Sequence, residues 1–594
     1  MVFPRRGARD AAATGPALLR GAARHSAGRT AAVLVCSAAS AGAALAAPAV
    51  IGRTLDLLLS SSTGSGGGLA LCAAVVAAEV VLDALVALIG GTTSARSTAW
   101  LRMRALTGLL ASSPAHGGKL APGDVATRLS ANTTEAGTAP VSAAALAASL
   151  LAPAGALVAL FLIDVWTALA FLVGLPALVV VVRAFARGSS DSVARYQRVQ
   201  SEIASRLVEA LGGARTIAAA GTAGRERARV LAPLPELGVQ GRRMWRVHGR
   251  AVAHSGVLMP LLTTGVLAVG GVRLASGAIS VGELLAVSRY AALAAGVGAG
   301  AGLLGALIRS GAAARRTAEL VALPALAHGA GSLPAGGPGT LTLRGVRVVR
   351  DGRRLLHDVD LEIPGGVTAA VVGRSGAGKS TLAAVAGRLA DPDAGQVLLD
   401  GVRLETLGRT ELRREVGYAF ERPVLFGDTI GEALAWGAER VPADRIRAAA
   451  RAAGADPFVR LLPHGYDTPR AGAPLSGGEL QRLGLARAFA HAGRLLILDD
   501  ATSSLDTVTE RQVERALARD VRASTKLIIA HRLSSAVRAD VVVWLEEGRI
   551  RAVAPHAELW RSPGYRAVFA AAGRDAGSVP SGAGPDGAAP GGRG

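Results

Sequence analysis

Gly373-Arg374-Ser375-Gly376-Ala377-Gly378-Lys379-Ser380-Thr381 decides how this chain is read. The stretch fits the P-loop pattern, and its flanks supply the context that pattern needs. Thr368–Val372 is a short apolar strand, and a helical stretch follows Lys379. In such a loop the glycines let backbone N–H groups curl around phosphate oxygens. Lys379 reaches the outer phosphates, Ser380 offers its hydroxyl to Mg²⁺, and the helix N-terminus adds a favourable dipole. Residues 373–381 are therefore expected to cradle a nucleoside triphosphate.

Downstream, Arg494-Leu495-Leu496-Ile497-Leu498-Asp499-Asp500 reads as a buried strand ending in two carboxylates. Behind a P-loop this is a Walker B element. Asp499 is expected to hold Mg²⁺ through water, and Asp500 to polarise an attacking water. Alternating strands and helices make this part an α/β domain.

Upstream the chain changes character. Half of the 594 residues are hydrophobic, and six apolar stretches precede residue 310. They run over Thr30–Leu59, Leu69–Gly90, Val141–Ile163, Val165–Val182, Ala251–Val272 and Val281–Ile308. Each is near the roughly 20 residues that a helix needs to cross a bilayer. The first is long and follows a basic N-terminus (Arg5, Arg6, Arg9, Arg20, Arg24, Arg29), which favours a retained signal-anchor.

The formal charge of +21 is almost all arginine, with Lys119, Lys379 and Lys526 the only lysines. With abundant Ala and Gly, this points to a GC-rich bacterial genome, such as an actinomycete's. The arginines also sort by connection. Ser60–Gly68 has no basic residue, the third-to-fourth connection holds only Asp164, and the fifth-to-sixth carries only Arg273. The other two connections are basic, and Arg309, Arg315 and Arg316 follow the sixth stretch. By the positive-inside rule the N-terminus, both long loops and the C-terminal domain face the cytoplasm. The charge thus needs no nucleic-acid partner, and no helix-turn-helix, zinc finger or stacking platform is present. Cys36 and Cys72 lie in apolar runs without metal-ligand or redox spacing. Ser201–Ala220 has apolar residues at helical spacing. It reads as membrane helices running on into the cytoplasm and turning near Gly212-Gly213 and Gly221.

Leu475-Ser476-Gly477-Gly478-Glu479-Leu480-Gln481 resembles the signature of the ATP-binding cassette (ABC) family. Ser503-Ser504-Leu505-Asp506 resembles its D-loop, and Ile529-Ala530-His531-Arg532 its switch-histidine motif. Gly-Tyr-Ala-Phe-Glu-Arg-Pro-Val-Leu-Phe, containing Glu421, is similar to its Q-loop. The motifs stand in family order over about 200 residues. The membrane half resembles the exporter subgroup with six helices per chain; Gly123-Asp124 and Glu209 through Ile217 match patterns near its coupling helices. The implied fold is an all-α polytopic membrane domain with cytoplasmic extensions, fused to an α/β P-loop nucleotide-binding domain. The expected divisions are a membrane domain at 1–324, a Gly/Ala/Pro-rich linker at 325–339, a cassette at 340–572 and a disordered tail at 573–594.

The resemblance further implies that two cassettes pair head to tail. Each ATP, with Mg²⁺, then lies between one chain's P-loop and Ser476, Gly477, Gly478 and Glu479 of the other. Asp500, His531 and Glu421 take the catalytic positions, and Ser380, Asp499 and Glu421 the metal positions. Three positions depart from the family pattern. Asp500 replaces a glutamate and is shorter by one methylene; roughly 1 Å of misplacement can cost about 100-fold in rate. Glu421 replaces a glutamine and adds negative charge beside the triphosphate. Arg350 stands where an aromatic ring stacks on adenine, and a guanidinium can also stack on a purine. The stretch Thr468–Pro474 is also short and lacks the usual Gly-Glu pair.

The expected function is ATP-driven export of a hydrophobic or amphipathic small molecule, peptide or lipid across a bacterial cytoplasmic membrane. The chain would be one half of a homodimer or heterodimer. A degenerate half, an ATP-gated sensor and a siderophore-type importer remain as alternatives. Glu79 and Asp83, four apart in the second span, share a helix face. They either bind a cationic or basic-peptide cargo or are structural, as protonated carboxyls or hydrogen bonds to neighbouring helices.

Overall fold

The computed structural model describes residues 14–60, 65–114, 120–437, 441–503, 505–519, 521 and 524–575. Arg5, Arg6, Arg9, Lys119, Ser504 and the tail from residue 576 lie outside this set. The chain forms two units, one of Met1–Leu110 with Leu120–Leu323, the other of Ala111–Lys119 with Pro324–Gly594.

The first unit is helical. Helices Ala27–Leu59 and Ser65–Ala111 cover the first two apolar stretches. A broken run from Pro122 to Ile163 covers the third, with a π-helical turn at Arg128–Asn132. Helices Val165–Gly212 and Leu234–Ala275 cover the fourth and fifth, and Val281–Ala294 with Gly298–Val321 the sixth. Among the described residues, three segments are long and apolar enough to cross a membrane: Ala27–Leu59, Gly66–Ala111 and Pro122–Ile163. Val165–Pro176 and Pro260–Ala275 are shorter apolar pieces within the long helices Val165–Gly212 and Leu234–Ala275.

Local chemistry sets the breaks. Asp164 takes extended backbone, and its carboxylate caps the next helix by accepting from the Thr167 N–H at 3.0 Å. Arg273 pairs with the same carboxylate at 2.9 Å. Ser280 and Glu283 form a capping box that starts Val281–Ala294. The expected turn is present: Val165–Gly212 ends at Gly213, and Gly221 adopts φ 62° before helix Ala223–Leu231. Arg229 ties the hairpin by pairing with Glu209 and Glu226.

The second unit has two sheets. β1 (Leu341–Arg350), β2 (Arg353–Ile363), β4 (Ala394–Leu399) and β5 (Val402–Arg403) form an antiparallel sheet in the order β2-β1-β4-β5. The other sheet runs β10-β9-β3-β8-β7-β6. Its strands are β3 (Thr368–Val372), β6 (Val416–Phe420), β7 (Leu495–Asp499), β8 (Thr525–Ile529), β9 (Val541–Glu546) and β10 (Arg549–Ala554). All neighbours pair in parallel except β10 with β9. β3, β7 and β8 are largely apolar and buried because helices and the second sheet cover both faces.

The stretch expected as a linker makes bonds of its own. The Gly329 and Gly331 N–H groups donate to the carbonyls of Glu405 and Thr406, and Leu333 is buried in the core. Its composition permits flexibility, but backbone pairing and one apolar anchor hold it down. Helix Pro563–Asp575 extends to the last described residue. Tyr565, fully buried against Trp544 and Trp560, anchors that helix.

Candidate functional site

The strand order brings the chemistry together. β3 leads into the P-loop, β8 into His531, β7 into Asp499 and Asp500, and β6 into Glu421. These are consecutive parallel strands, so four separate motifs emerge side by side at one edge, where open α/β sheets bind ligands.

Within the P-loop, Gly376 and Gly378 take φ 81° and 101°. A Cβ at Gly378 would lie 2.7 Å from the Leu355 carbonyl oxygen, so glycine is required both by φ and by the close approach. Gly378 precedes helix Lys379–Ala386. The Lys379 ammonium curls into the loop and donates to the carbonyls of Gly373 (2.8 Å) and Arg374 (3.1 Å). Burial lowers its pKa, while Asp500 and Asp499 oppose that shift. A buried cation beside inward-curling amides suits a polyphosphate.

Ser380 donates to the Asp499 carboxylate at 2.9 Å. This hydroxyl–carboxylate pair is a hard oxygen donor set that fits Mg²⁺. Tyr418 holds the other Asp499 oxygen at 3.2 Å, and burial pushes the Tyr418 phenol well above its ordinary pKa. Asp500 adopts φ 52°, a left-handed conformation that aspartate tolerates better than most residues. Its pKa is raised, first by burial and then by Glu421 and Asp499, against the fields of His531 and Lys379. Asp500, Glu421, His531 and Lys379 therefore share one electrostatic neighbourhood.

Ser476 begins helix Gly477–His491 in the helical layer, whose buried face includes Leu483, Leu485 and Phe489. Ser476 and Glu479 form a capping box. Glu479 accepts from the Ser476 amide and hydroxyl, each at 2.8 Å. These hydrogen bonds, the amide first, lower the Glu479 pKa. Arg350 lies at the end of β1, where its guanidinium bonds the Val349 carbonyl and pairs with Asp393 at 3.3 Å.

Sequence reasoning missed three side chains. Tyr418 was visible inside the Q-loop stretch, but its aim at Asp499 depends on β6 lying beside β7. Gln481, 2 % exposed, lies 3.4 Å from the Glu421 carbonyl and 3.5 Å from the Ser503 hydroxyl. Glu510 had no motif to mark it, yet it is buried and ion-paired with Arg532.

A fused helical unit and P-loop unit with this strand order define an ABC half-transporter of exporter type. The chain belongs to that family: the model described as "ABC transporter transmembrane region" matches residues 30–296, and "ABC transporter" matches 356–503. It is 61 % identical over 539 residues to ABC transporter ATP-binding protein RamA of Streptomyces coelicolor, covering 91 % of this chain and 85 % of that one. It is 44 % identical over 218 residues to the ATP-dependent lipid A-core flippase of Albidiferax ferrireducens, covering 36 % and 38 %. A structure of a bacterial Atm1-family ABC exporter with ATP bound superposes with TM-score 0.73 at 25 % identity, over 93 % of this chain and 98 % of the other.

Proposed function

We propose that this chain is one half of a dimeric exporter, driven by ATP hydrolysis, in a bacterial cytoplasmic membrane. Its N-terminus and cassette face the cytoplasm. The observation that carries the hydrolytic reading is the row of P-loop, His531, Asp499–Asp500 and Glu421 on consecutive strands.

The P-loop amides and Lys379 bind and orient the phosphates. Ser380 and Asp499, with Glu421 nearby, would hold Mg²⁺, which neutralises charge on the phosphate oxygens when bound. Asp500 orients the attacking water and accepts its proton. His531 steadies the same region with a hydrogen bond. Ser476 and the amides at the start of helix Gly477–His491 contact the ATP held by the other chain. ATP thereby favours the closed pair of cassettes, and hydrolysis releases it. A hydrophobic or amphipathic cargo is favoured by the apolar helices and by a relative named as a lipid flippase.

A second reading has specific support. Asp500 and Glu421 both depart from the family pattern, and the Glu421 charge raises the cost of ionising Asp500. This favours a slow or degenerate site, completed by a different half-transporter. The deciding measurement is the ATPase rate of this chain alone in lipid, beside Lys379→Ala. Turnover clearly above that background establishes a competent homodimer. A rate equal to it overturns that reading and favours the degenerate half.

A further inference from the structure

Arg532 follows His531 and leads into helix Leu533–Arg538 with extended backbone. Its guanidinium reaches across to the turn after β7. One nitrogen donates to the Glu510 carboxylate at 2.5 Å and lies 3.4 Å from the Leu505 carbonyl. Another donates to the Ser503 carbonyl at 3.0 Å. The Glu510 side chain is 4 % exposed, against 43 % for Arg532, so the acid is a fixed anchor and the arginine reaches in to it.

Ser503 is bonded from other sides as well. Its N–H donates to the Asp500 carbonyl at 3.3 Å, and its hydroxyl meets buried Gln481 of helix Gly477–His491. The same Gln481 amide approaches the Glu421 carbonyl. A continuous set of bonds therefore runs from the signature helix, through Ser503, to the residue beside His531.

We propose that Arg532 is a positioning residue for ATP hydrolysis: a strut, anchored on Glu510, that makes the His531 loop and the Asp500–Ser503 turn move as one body. The proposal rests on the hydrolytic reading above. It adds a route within one chain between the signature helix, which serves one ATP, and the loops that act on the other. A planar fork is needed to hold one carboxylate and two carbonyls together. A lysine ammonium at the end of a flexible stem does not reproduce it.

The test uses the full chain in lipid nanodiscs, comparing Arg532→Lys and Glu510→Gln with the unsubstituted protein. Arg532→Lys is expected to lower kcat about tenfold, with the Kd for a fluorescent ATP analogue unchanged, because the P-loop is built separately. Amide hydrogen exchange should rise about tenfold in residues 500–506 and 530–533 and stay unchanged in 373–381. Glu510→Gln keeps an acceptor and should show a smaller change in the same two segments. Unchanged exchange there, or unchanged kcat, would overturn the strut. So would a parallel loss of exchange protection in the P-loop, which marks general loosening. If the unsubstituted chain shows no turnover above Lys379→Ala, the hydrolytic reading fails, while hydrogen exchange still decides the strut.

Discussion

Asp500 concentrates the chemistry that is particular to this chain. Burial and the neighbouring Glu421 carboxylate raise its pKa, so it ionises at a higher pH than an exposed aspartate. Hydrolysis needs the ionised form, so kcat should fall on acidification before an ordinary carboxylate would titrate. Replacing Glu421 by Gln removes a negative neighbour, lowers the Asp500 pKa and should carry activity to lower pH. The pH profile of kcat for the two proteins checks this; coincident acid limbs would count against it. Asp500→Glu restores the missing methylene and should raise kcat severalfold in a steady-state ATPase assay. An unchanged or lower rate would mean that the shorter side chain is already well placed. Arg350 is engaged with Asp393. Arg350→Tyr, which offers a free ring for adenine, should lower the KM for ATP with little effect on kcat.

Between helices, Asp83 of the acidic pair in the second span has a partner. The Ser40 hydroxyl donates to the Asp83 carboxylate at 2.6 Å, linking helix Ala27–Leu59 to helix Ser65–Ala111. For Asp83 this supports the helix-bonding reading over cargo capture. Interhelical hydrogen bonds in membranes average about 0.6 kcal/mol. A Ser40→Ala and Asp83→Asn double-mutant cycle, read by unfolding in detergent, should give a coupling of about that size. A coupling near zero, together with loss of transport, would return the pair to the cargo pathway. Arg128 makes a stronger tie in the first unit, pairing with Asp124 and with Glu319 near the end of the last helix. Its periodicity gave no hint of this, because a π-helical turn changes which residues share a face.

For the whole molecule, the central expectation is a head-to-tail dimer. Ser375→Cys and Ser476→Cys, introduced together after replacing Cys36 and Cys72, should form an interchain disulfide that ATP promotes. Non-reducing electrophoresis reads the product. If the disulfide forms only when a second half-transporter is co-expressed, the partner is a different chain. The same experiment tests Ser476 as the group that completes the other chain's site. Its capping box holds it at a helix start in a layer apart from its own P-loop.

Much of this was legible before folding. The P-loop, Asp499, Asp500, Ser476 and His531 each lie in a short local motif, and phosphate binding needs a local backbone shape. The apolar stretches and the arginine distribution marked the helical unit, because solvent preference acts residue by residue along the chain. The order β3-β8-β7-β6 was not legible, since strand neighbours are chosen by packing between distant segments. That order alone places His531 and Glu421 beside Asp500, and Tyr418 against Asp499. It also permits the bonds from Arg532 to Ser503, Leu505 and Glu510, which join residues that no local pattern connects.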